Sequence, residues 1–572
     1  MRPFSLFLIL LFLPAASQGQ DFDHEEAERV LEYAMTVKID DPDIRKKACF
    51  AANLVGNKKL SERHYEDAIR MFRFSNSMAT KAEEQVIFLN SSLLVHALCL
   101  THHRDALVEL QNLVALLQEM QSNTLRGGFP VEYADGMRQV MNHTLQPLMS
   151  EVLKTFPDAE AYNYCFNLML YLKQFAFYQM DKREKPDIKN DLWVDYRRLL
   201  AASLHDDEIA IEFVPYLDTN GQTISGDCYA AYVLENNGNL HFINVCGKEK
   251  VEEMYEYNDS TWMLYDVKDH RLDSMLWQKL KPYATGKSRI YLAPCGMLNR
   301  VNFLLFDPRI HELSSLCELT KSYPENPRSE VLLIGDIDYD ESIISTIRGD
   351  RDWGELLATK QEVDSITTTL SPFYHVTKLT GKEGSEPMVR RLLESSPAIL
   401  HFATHAICYT DSAHRSQQPF FNFPFNYYPE RRDLSFTGLV LSGGNMGFQQ
   451  TGNRTLEDDG ILLSEEIYQL PLEGTSLVVL SACNSGNGIF DDIEGTFGLV
   501  KAFKLAGVRT VIASLSKVDD EATSMFMTFF YRCLSQGEQI HDAFVHTINH
   551  MKSLYPYNPK YWASFKVVDS ME

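Results

Sequence analysis

The chain has 572 residues, 45% of them hydrophobic, so we expect large cores and more than one domain. Its net charge at pH 7 is −24, and no cluster of lysines and arginines alternates with aromatic residues, which argues against binding to nucleic acid. The ten cysteines include no C-x2-C pair, so the sequence predicts neither a zinc site nor any other metal or cofactor.

The first 19 residues have the features of a secretory signal peptide. Met1–Pro3 carries one positive charge, Phe4–Leu13 is an apolar core of ten residues, and Ser17–Gly19 supplies small residues for cleavage before Gln20. The apolar core is too short to span a bilayer as a stable helix. We therefore expect an exported protein, periplasmic or secreted, with no integral membrane segment after cleavage.

From 20 to 203 the sequence predicts an all-helical region. Glycine is sparse, and apolar residues recur at helical spacing, as between Leu107 and Leu117. Tyr65–Phe72 and His103–Leu110 resemble each other 38 residues apart (Ala106 against Ala68), near the repeat of about 34 residues of tetratricopeptide repeats. A degenerate array of this kind and an unrelated helical bundle both fit. An array would offer a concave face for docking a substrate or a partner.

From 204 to 570 the sequence predicts an α/β domain. Short strands close together at the start indicate antiparallel hairpins, and later strands alternate with helical stretches such as Thr359–Leu370. A glycine-rich stretch, Ser442–Gly447, follows a strand but does not precede a helical pattern. It is therefore neither a dinucleotide-binding turn nor a phosphate-binding loop. The hairpin strands are Ile209–Val214, Tyr229–Leu234 and His241–Val245, and the first later ones are Arg289–Ala293 and Val331–Gly335.

Two predicted strands end on residues that suit nucleophilic catalysis. Ala398–Ala403 leads into His405, and Leu477–Ala482 leads into Cys483. Parallel strands bring their C-terminal ends to one edge of a sheet, so a thiol and an imidazole at two such ends form a candidate nucleophile and base. A lone cysteine at a strand end is, alternatively, a small buried apolar residue.

Five ordered blocks resemble the CHAT family, caspase-like peptidases often attached to tetratricopeptide repeats. Two of them are similar to the boxes HFATHG and LSACETG, which contain the histidine and the cysteine, and weaker similarity extends back to about Glu208. The blocks are His401–Ala406, Asp459–Ile467, Leu480–Gly486, Glu494–Phe503 and Leu505–Thr523.

The resemblance implies a caspase-like three-layer αβα domain with a mainly parallel sheet, preceded by the helical region. It implies His405 and Cys483 as the catalytic dyad, with the backbone N–H groups of Ala406 and Cys483 holding the oxyanion. Ala406 stands where the family usually has glycine, which would matter if the turn required a positive φ. Ser516 replaces a usual tryptophan, which would alter one wall of the substrate pocket.

The resemblance also implies that the strand Thr510–Leu515 borders the substrate cleft, as its counterpart does in caspase-like enzymes. On this basis Ser514, Ser516, Asp519 and Asp520 are candidate pocket residues, and by similarity to separase the two carboxylates would suit a basic side chain before the scissile bond. The alternative for Asp519 and Asp520 is helix capping, because an apolar helical pattern follows them.

The sequence therefore predicts an exported caspase-like cysteine endopeptidase that acts on a polypeptide substrate without a cofactor. The alternative is a protein-binding scaffold with a degenerate CHAT domain. The intact pair of His405 and Cys483 favours the enzyme, whereas Ala406 and Ser516 favour the scaffold.

Overall fold

The computed structural model describes residues 24–37, 39–80, 83–125, 144–180, 195–220, 223–258, 271–323, 329–340, 353–408, 437–445, 458–482, 488–491, 495–516 and 519–570. The predicted signal peptide at 1–19 lies outside these ranges, as does Cys483. In the described ranges, no helix is both long and apolar enough to cross a membrane.

The described part of the N-terminal region is all-helical, as predicted, and most successive helices pack against each other. The two similar segments begin α3 and lead into α5. The helices are α1 (His24–Thr36), α2 (Pro42–Ser61), α3 (Tyr65–Met78), α4 (Glu84–Leu100), α5 (Asp105–Leu125), α6 (Gln146–Thr155), α7 (Ala159–Met180) and α8 (Tyr196–Ser203).

Local sequence explains where α2 begins. The Asp41 carboxylate accepts hydrogen bonds from the backbone N–H groups of Asp43 (2.9 Å) and Ile44 (3.2 Å). Pro42 occupies the start of the helix, where its missing N–H has no intrahelical partner to lose.

The first sheet has five strands in the order β3-β2-β1-β4-β5. β1 with β2 and β2 with β3 are antiparallel, as the sequence predicted, whereas β4 and β5 extend the sheet in parallel. The strands are β1 (Glu208–Asn220), β2 (Thr223–Glu235), β3 (Leu240–Gly247), β4 (Arg289–Ala293) and β5 (Ile310–Glu312), accompanied by α9 (Lys248–Asn258) and α10 (Lys281–Ala284).

One face of this sheet is covered by the helical region. Leu148 and Phe166 of the helices share a buried cluster with Val214 and Tyr232 of the sheet. The rings of Phe166 and Tyr232 lie 5.2 Å apart. The helices and the first sheet therefore share one core, and burial of this apolar surface holds them together.

The largest sheet in the rest of the chain, the second sheet, has six strands, in the order β16-β15-β12-β8-β6-β7. All its neighbours are parallel except β15 and β16. The strands of this half are β6 (Glu330–Ile337), β7 (His375–Gly381), β8 (Ile399–Ala403), β9 (Ala406–Cys408), β10 (Thr437–Val440), β11 (Ile461–Leu463), β12 (Leu477–Ser481), β13 (Gly488–Asp491), β14 (Gly495–Gly498), β15 (Thr510–Ser514) and β16 (Phe565–Val568).

Helices cover both faces of this second sheet, because the side chains along each strand alternate between two cores. In β8, Leu400 and Phe402 enter one cluster, whereas Ile399 and Ala403 enter the other. The helices are α11 (Leu357–Leu370), α12 (Glu386–Leu393), α13 (Ser464–Ile467), α14 (Leu499–Leu505), α15 (Asp520–Ser535), α16 (Ile540–Leu554) and α17 (Lys560–Ala563).

The predicted fold class, a three-layer αβα domain with a mainly parallel sheet behind an all-helical region, is confirmed. The sequence did not indicate that the strands form separate sheets. In the described ranges β1 to β5 pair only among themselves, β6, β7, β8, β12, β15 and β16 form the six-stranded sheet, and β9 to β11 and β13 with β14 form two smaller sheets.

Buried ion pairs join these layers. One pair connects the helical region to the first sheet, one connects the two sheets directly, and one connects a helix of the second half to the segment that follows β5. In none of them is either side chain more than 7% exposed. The pairs are Lys173 of α7 with Glu212 of β1, Lys504 of α14 with Glu318, and Lys566 of β16 with Glu312 of β5.

Replacing Lys173 by Met should destabilise the protein by about 3–5 kcal/mol, because it leaves the buried Glu212 carboxylate without its cation. The double variant Lys173→Met/Glu212→Gln should recover part of this loss, since no charge is then buried and the amide oxygen still accepts from the Leu316 N–H. Urea unfolding monitored by circular dichroism measures both. A double variant as unstable as the single one would show that the pair does not act through charge.

Candidate active site

The second sheet brings the ends of β8 and β12 to the same level. The two strands are parallel neighbours with Ala403 directly beside Ser481. His405 follows Ala403 by two residues, and Cys483 follows Ser481 by two residues. The described residues therefore place the histidine and the approach to the cysteine at a shared edge. Cys483 itself lies outside them, so the dyad stays a prediction.

The His405 imidazole is held in one tautomer. Its Nε2 lies 2.8 Å from the backbone carbonyl oxygen of Gly354, so Nε2 carries the proton and Nδ1 is left to accept one. Burial lowers the pKa of His405, opposed by the Gly354 hydrogen bond and by the charge of Asp520. The imidazole is therefore neutral at pH 7, as a general base requires.

Gly354 is positioned by Asn445, a residue of the glycine-rich stretch. The Asn445 amide accepts from the Trp353 N–H (2.9 Å) and donates to the Trp353 carbonyl (3.1 Å). The same amide nitrogen donates to the Asp340 carboxylate just after β6 (2.7 Å). This stretch thus fastens the segment that contacts His405 to the end of a neighbouring strand.

Tyr339, just after β6, supports His405 from the other side. Its ring packs 5.0 Å from the imidazole, and its hydroxyl lies 2.9 Å from the Thr404 hydroxyl. Thr404 donates to the Val440 carbonyl (2.5 Å), and the Val440 N–H donates to the His405 carbonyl (2.9 Å). The His405 backbone also bonds to the Tyr339 hydroxyl, whose pKa is raised by burial to about 12. These bonds form a closed ring around the His405 backbone.

Ala406 adopts a conformation that alanine accepts without strain. It begins β9 and pairs with Leu439 of β10. It is not among the non-glycine residues with positive φ, which are Arg63, His102, Asp336 and Ser396 in the described ranges. Extended backbone suits any residue, so replacing the usual glycine does not distort this turn.

The two aspartates after β15 have different surroundings. The Asp519 carboxylate caps α15 by accepting from the Ala522 N–H (3.0 Å), so the capping interpretation is confirmed for this residue. Burial raises the pKa of Asp520, as do the charges of Asp519 and Glu362, whereas His405 lowers it. Asp520 is exposed and close enough to His405 to interact electrostatically.

Ser514 and Ser516 are both fully buried. Ser514 donates to the Ala482 carbonyl at 2.5 Å and so ties β15 to the residue that precedes Cys483. The Ser516 hydroxyl donates to that of Ser564 at 3.3 Å. The structure thus places Ser514 at the strand ends and Ser516 against α17, and their assignment to the substrate pocket remains a prediction.

His401, the other histidine of the first box, is fully buried. Its Nε2 lies 2.9 Å from the Glu362 carboxylate and its Nδ1 lies 3.1 Å from the Tyr531 hydroxyl. Both ring nitrogens are therefore engaged beneath the site, which fixes α11 and α15 to β8.

Sequence reasoning missed Tyr339, Gly354 and Glu362. The pattern that identified His405, a polar residue just after an apolar strand, also applies to Tyr339, which follows the predicted strand Val331–Gly335. Gly354 acts through a backbone carbonyl, which leaves no mark in the sequence. In the described ranges only two groups of His, Cys, Asp and Glu bring three potential metal ligands within 4.8 Å of one another, and neither includes His405.

Replacing Tyr339 by Phe should slow alkylation of Cys483 by about 2- to 10-fold, because the ring of hydrogen bonds that holds His405 is opened while the aromatic packing is kept. The matched control is Tyr216→Phe in the first sheet, which should leave the rate unchanged. An unchanged rate in Tyr339→Phe, with the pKa of His405 by NMR also unchanged, would contradict this role.

The family model described as the CHAT domain matches residues 269–570. The chain belongs to the CHAT domain family. The match spans more than half of this CHAT protein and includes His405, Cys483 and both aspartates after β15. A comparison with curated proteins found no match.

Among solved structures, the CHAT protein is similar to the Arg-specific cysteine proteinase gingipain R, with 9% identity and a TM-score of 0.31 over 56% of this chain and 69% of that chain. It is also similar to a complex of the Porphyromonas gingivalis RgpB pro- and mature domains, with 9% identity and a TM-score of 0.29 over 56% of this chain and 70% of that chain. The similarity to the Saccharomyces cerevisiae separase–securin complex has 9% identity and a TM-score of 0.44, over 95% of this chain and 48% of that chain. This chain thus spans about half the length of the separase chain, and no property is carried over from any of the three.

Proposed function

We propose that this CHAT protein is an exported cysteine endopeptidase in which His405 and Cys483 form the catalytic dyad. The observation that carries the proposal is the state of His405: a neutral imidazole, fixed by the Gly354 carbonyl, at the strand end level with the approach to Cys483. Export rests on the predicted signal peptide at 1–19. Docking of a substrate or a partner is assigned to the helical region.

The chemistry follows from these positions. Nδ1 of His405 accepts the thiol proton, and the sulfur of Cys483 attacks the carbonyl carbon of a peptide bond. The backbone N–H groups of Ala406 and Cys483 hold the oxyanion that forms. His405 then returns the proton to the leaving amine, and water hydrolyses the acyl-enzyme. The dyad acts without a metal or cofactor.

We assign Asp520 to recognition of a basic side chain before the scissile bond. Asp519 is occupied in capping α15, which leaves Asp520 as the carboxylate available for this role. Burial raises the pKa of Asp520, and the charge of the neighbouring Asp519 raises it further, so this carboxylate stands close to a like charge. An arginine or lysine side chain of the substrate would offset that repulsion.

A peptide with a thiol-directed electrophile should label Cys483, and His405→Ala should slow labelling by about 100-fold or more, because the general base is lost. Since burial lowers the pKa of His405 below its usual 6.5, more than half of the imidazole is neutral at pH 6.5, so the rate should fall to half its maximum only below that pH. Mass spectrometry identifies the labelled residue. A folded protein that binds partners but resists every such probe would be a scaffold instead.

Asp520→Asn should reduce labelling by an arginine-containing probe by about tenfold, because a charged hydrogen bond to the substrate is lost. A norleucine-containing probe should label the variant at the parent rate. Asp519→Asn is the matched control, since asparagine also caps helices and the charge removed is one residue away. Equal losses with both probes would remove Asp520 from specificity but leave the dyad intact.

A further inference from the structure

Two groups of side chains outside the candidate active site bring three potential metal ligands within 4.8 Å of one another in the described ranges. The first consists of His311, His541 and Asp569. Its two imidazole rings are stacked with centroids 3.8 Å apart and an angle of 20° between the planes. A metal must lie in the plane of each imidazole that binds it, which nearly parallel, stacked rings do not allow.

The contacts of this first group are those of hydrogen bonds. His541 Nδ1 lies 2.7 Å from the Asp569 carboxylate, and its Nε2 donates to the Pro308 carbonyl at 3.0 Å. Burial lowers the pKa of His541, but the charge of Asp569 and these bonds outweigh it, so the net pKa is raised. This group is therefore a buried ion pair that connects β5 to the chain end after β16.

The second group, Cys533, Glu538 and His546, lies where α15 turns into α16. The backbone of this turn holds two of the three residues together. The Glu538 N–H donates to the Cys533 carbonyl (3.3 Å), and the Gly537 N–H donates to the Leu534 carbonyl (2.9 Å). Gly537 has φ +87°, so the helix ends in the left-handed conformation typical of a Schellman motif.

The third residue comes from the facing helix at the same level. One turn away from Cys533 and His546, the rings of Phe529 and His550 stack 3.9 Å apart at 5°. This contact sets the register of α15 against α16. His546 and His550 are four residues apart and so lie on one face of α16, which places His546 on the side of the helix that faces α15.

We propose that Cys533, Glu538 and His546 bind one Zn²⁺ ion. A thiolate, a carboxylate and an imidazole are the ligand types that zinc takes, at about 2.3 Å for sulfur and about 2.0–2.2 Å for nitrogen and oxygen. The candidate ligand atoms lie within 4.8 Å of one another, against about 3.3–3.6 Å between ligand atoms in a tetrahedral zinc site. Side-chain exposure of 65% for His546 and 26% for Glu538 leaves a path for the ion and a fourth position for water.

Hydrogen bonds already hold the three side chains together. Glu538 accepts from His546 Nδ1 at 2.9 Å and from the Cys533 thiol. Burial and then the charge of Glu538 raise the pKa of that thiol. Zinc therefore has to displace a proton from sulfur, so binding releases protons and weakens as the pH falls. This site departs from the expectation of no metal, which considered only cysteine spacing.

Cobalt substitution tests the proposal directly, because a thiolate bound to Co²⁺ gives a charge-transfer band in the near ultraviolet. The protein is prepared without a histidine tag and as the Cys483→Ser variant, so that the predicted dyad contributes no thiolate. We expect one equivalent of Co²⁺ to produce the band and one equivalent of Zn²⁺ to abolish it. No band at neutral pH would overturn the proposal.

Two further variants assign the ligands. Cys533→Ser should remove the band, and His546→Gln should weaken Co²⁺ binding by about tenfold or more. Cys228→Ser, which alters a partly exposed thiol on the first sheet, is the matched control and should change neither. A band that survives Cys533→Ser, or that is lost in Cys228→Ser, would overturn the assignment. Circular dichroism melting of each variant confirms that it is folded.

Discussion

The parallel pairing of β8 with β12 is the constraint on which the site depends. It sets Ala403 beside Ser481. His405 follows Ala403 by two residues, and Cys483 follows Ser481 by two residues. Tyr339 after β6 and Asp520 after β15 reach the same edge because these strands are parallel neighbours on either side. A shift of one residue between β8 and β12 would turn the side chains of one strand to the opposite core. It would also move His405 out of line with the end of β12, which leads to Cys483.

Buried charge decides how the layers around that sheet are assembled. Lys504 lies in α14, the first helix after the cysteine box in the described ranges. It pairs with Glu318, which follows the last strand of the first sheet. Lys504 also donates to the Asp569 carbonyl near the chain end (2.8 Å). Apolar contacts alone tolerate sliding, whereas a buried ion pair that is misaligned leaves a charge unpaired in the core. Both flanks of the Cys483 segment, β12 and α14, are therefore anchored.

The sequence and the structure agree most closely where the pattern is local. Apolar runs predicted β8, β12 and β15 almost to the residue, and Asp519 before an apolar helical pattern predicted the start of α15. The concern raised by Ala406 was not local, because it depended on the φ of one turn that no residue pattern reports. The role of the glycine-rich stretch at Ser442–Gly447 was not visible in the sequence, because the contacts of Asn445 with Trp353 and Asp340 depend on the fold.

By itself, the sequence determined the main apolar strands, the all-helical region, the CHAT family and the histidine on which the proposed chemistry rests, because hydrophobic periodicity and the box residues can be read along the chain. The tertiary structure alone decided the division of the strands into separate sheets, the tautomer of His405 and the contacts of Tyr339 and Gly354. It also brought Cys533, Glu538 and His546 together. These features depend on partners many residues apart, some of them backbone carbonyls, and only the packing of strands and helices sets such distances.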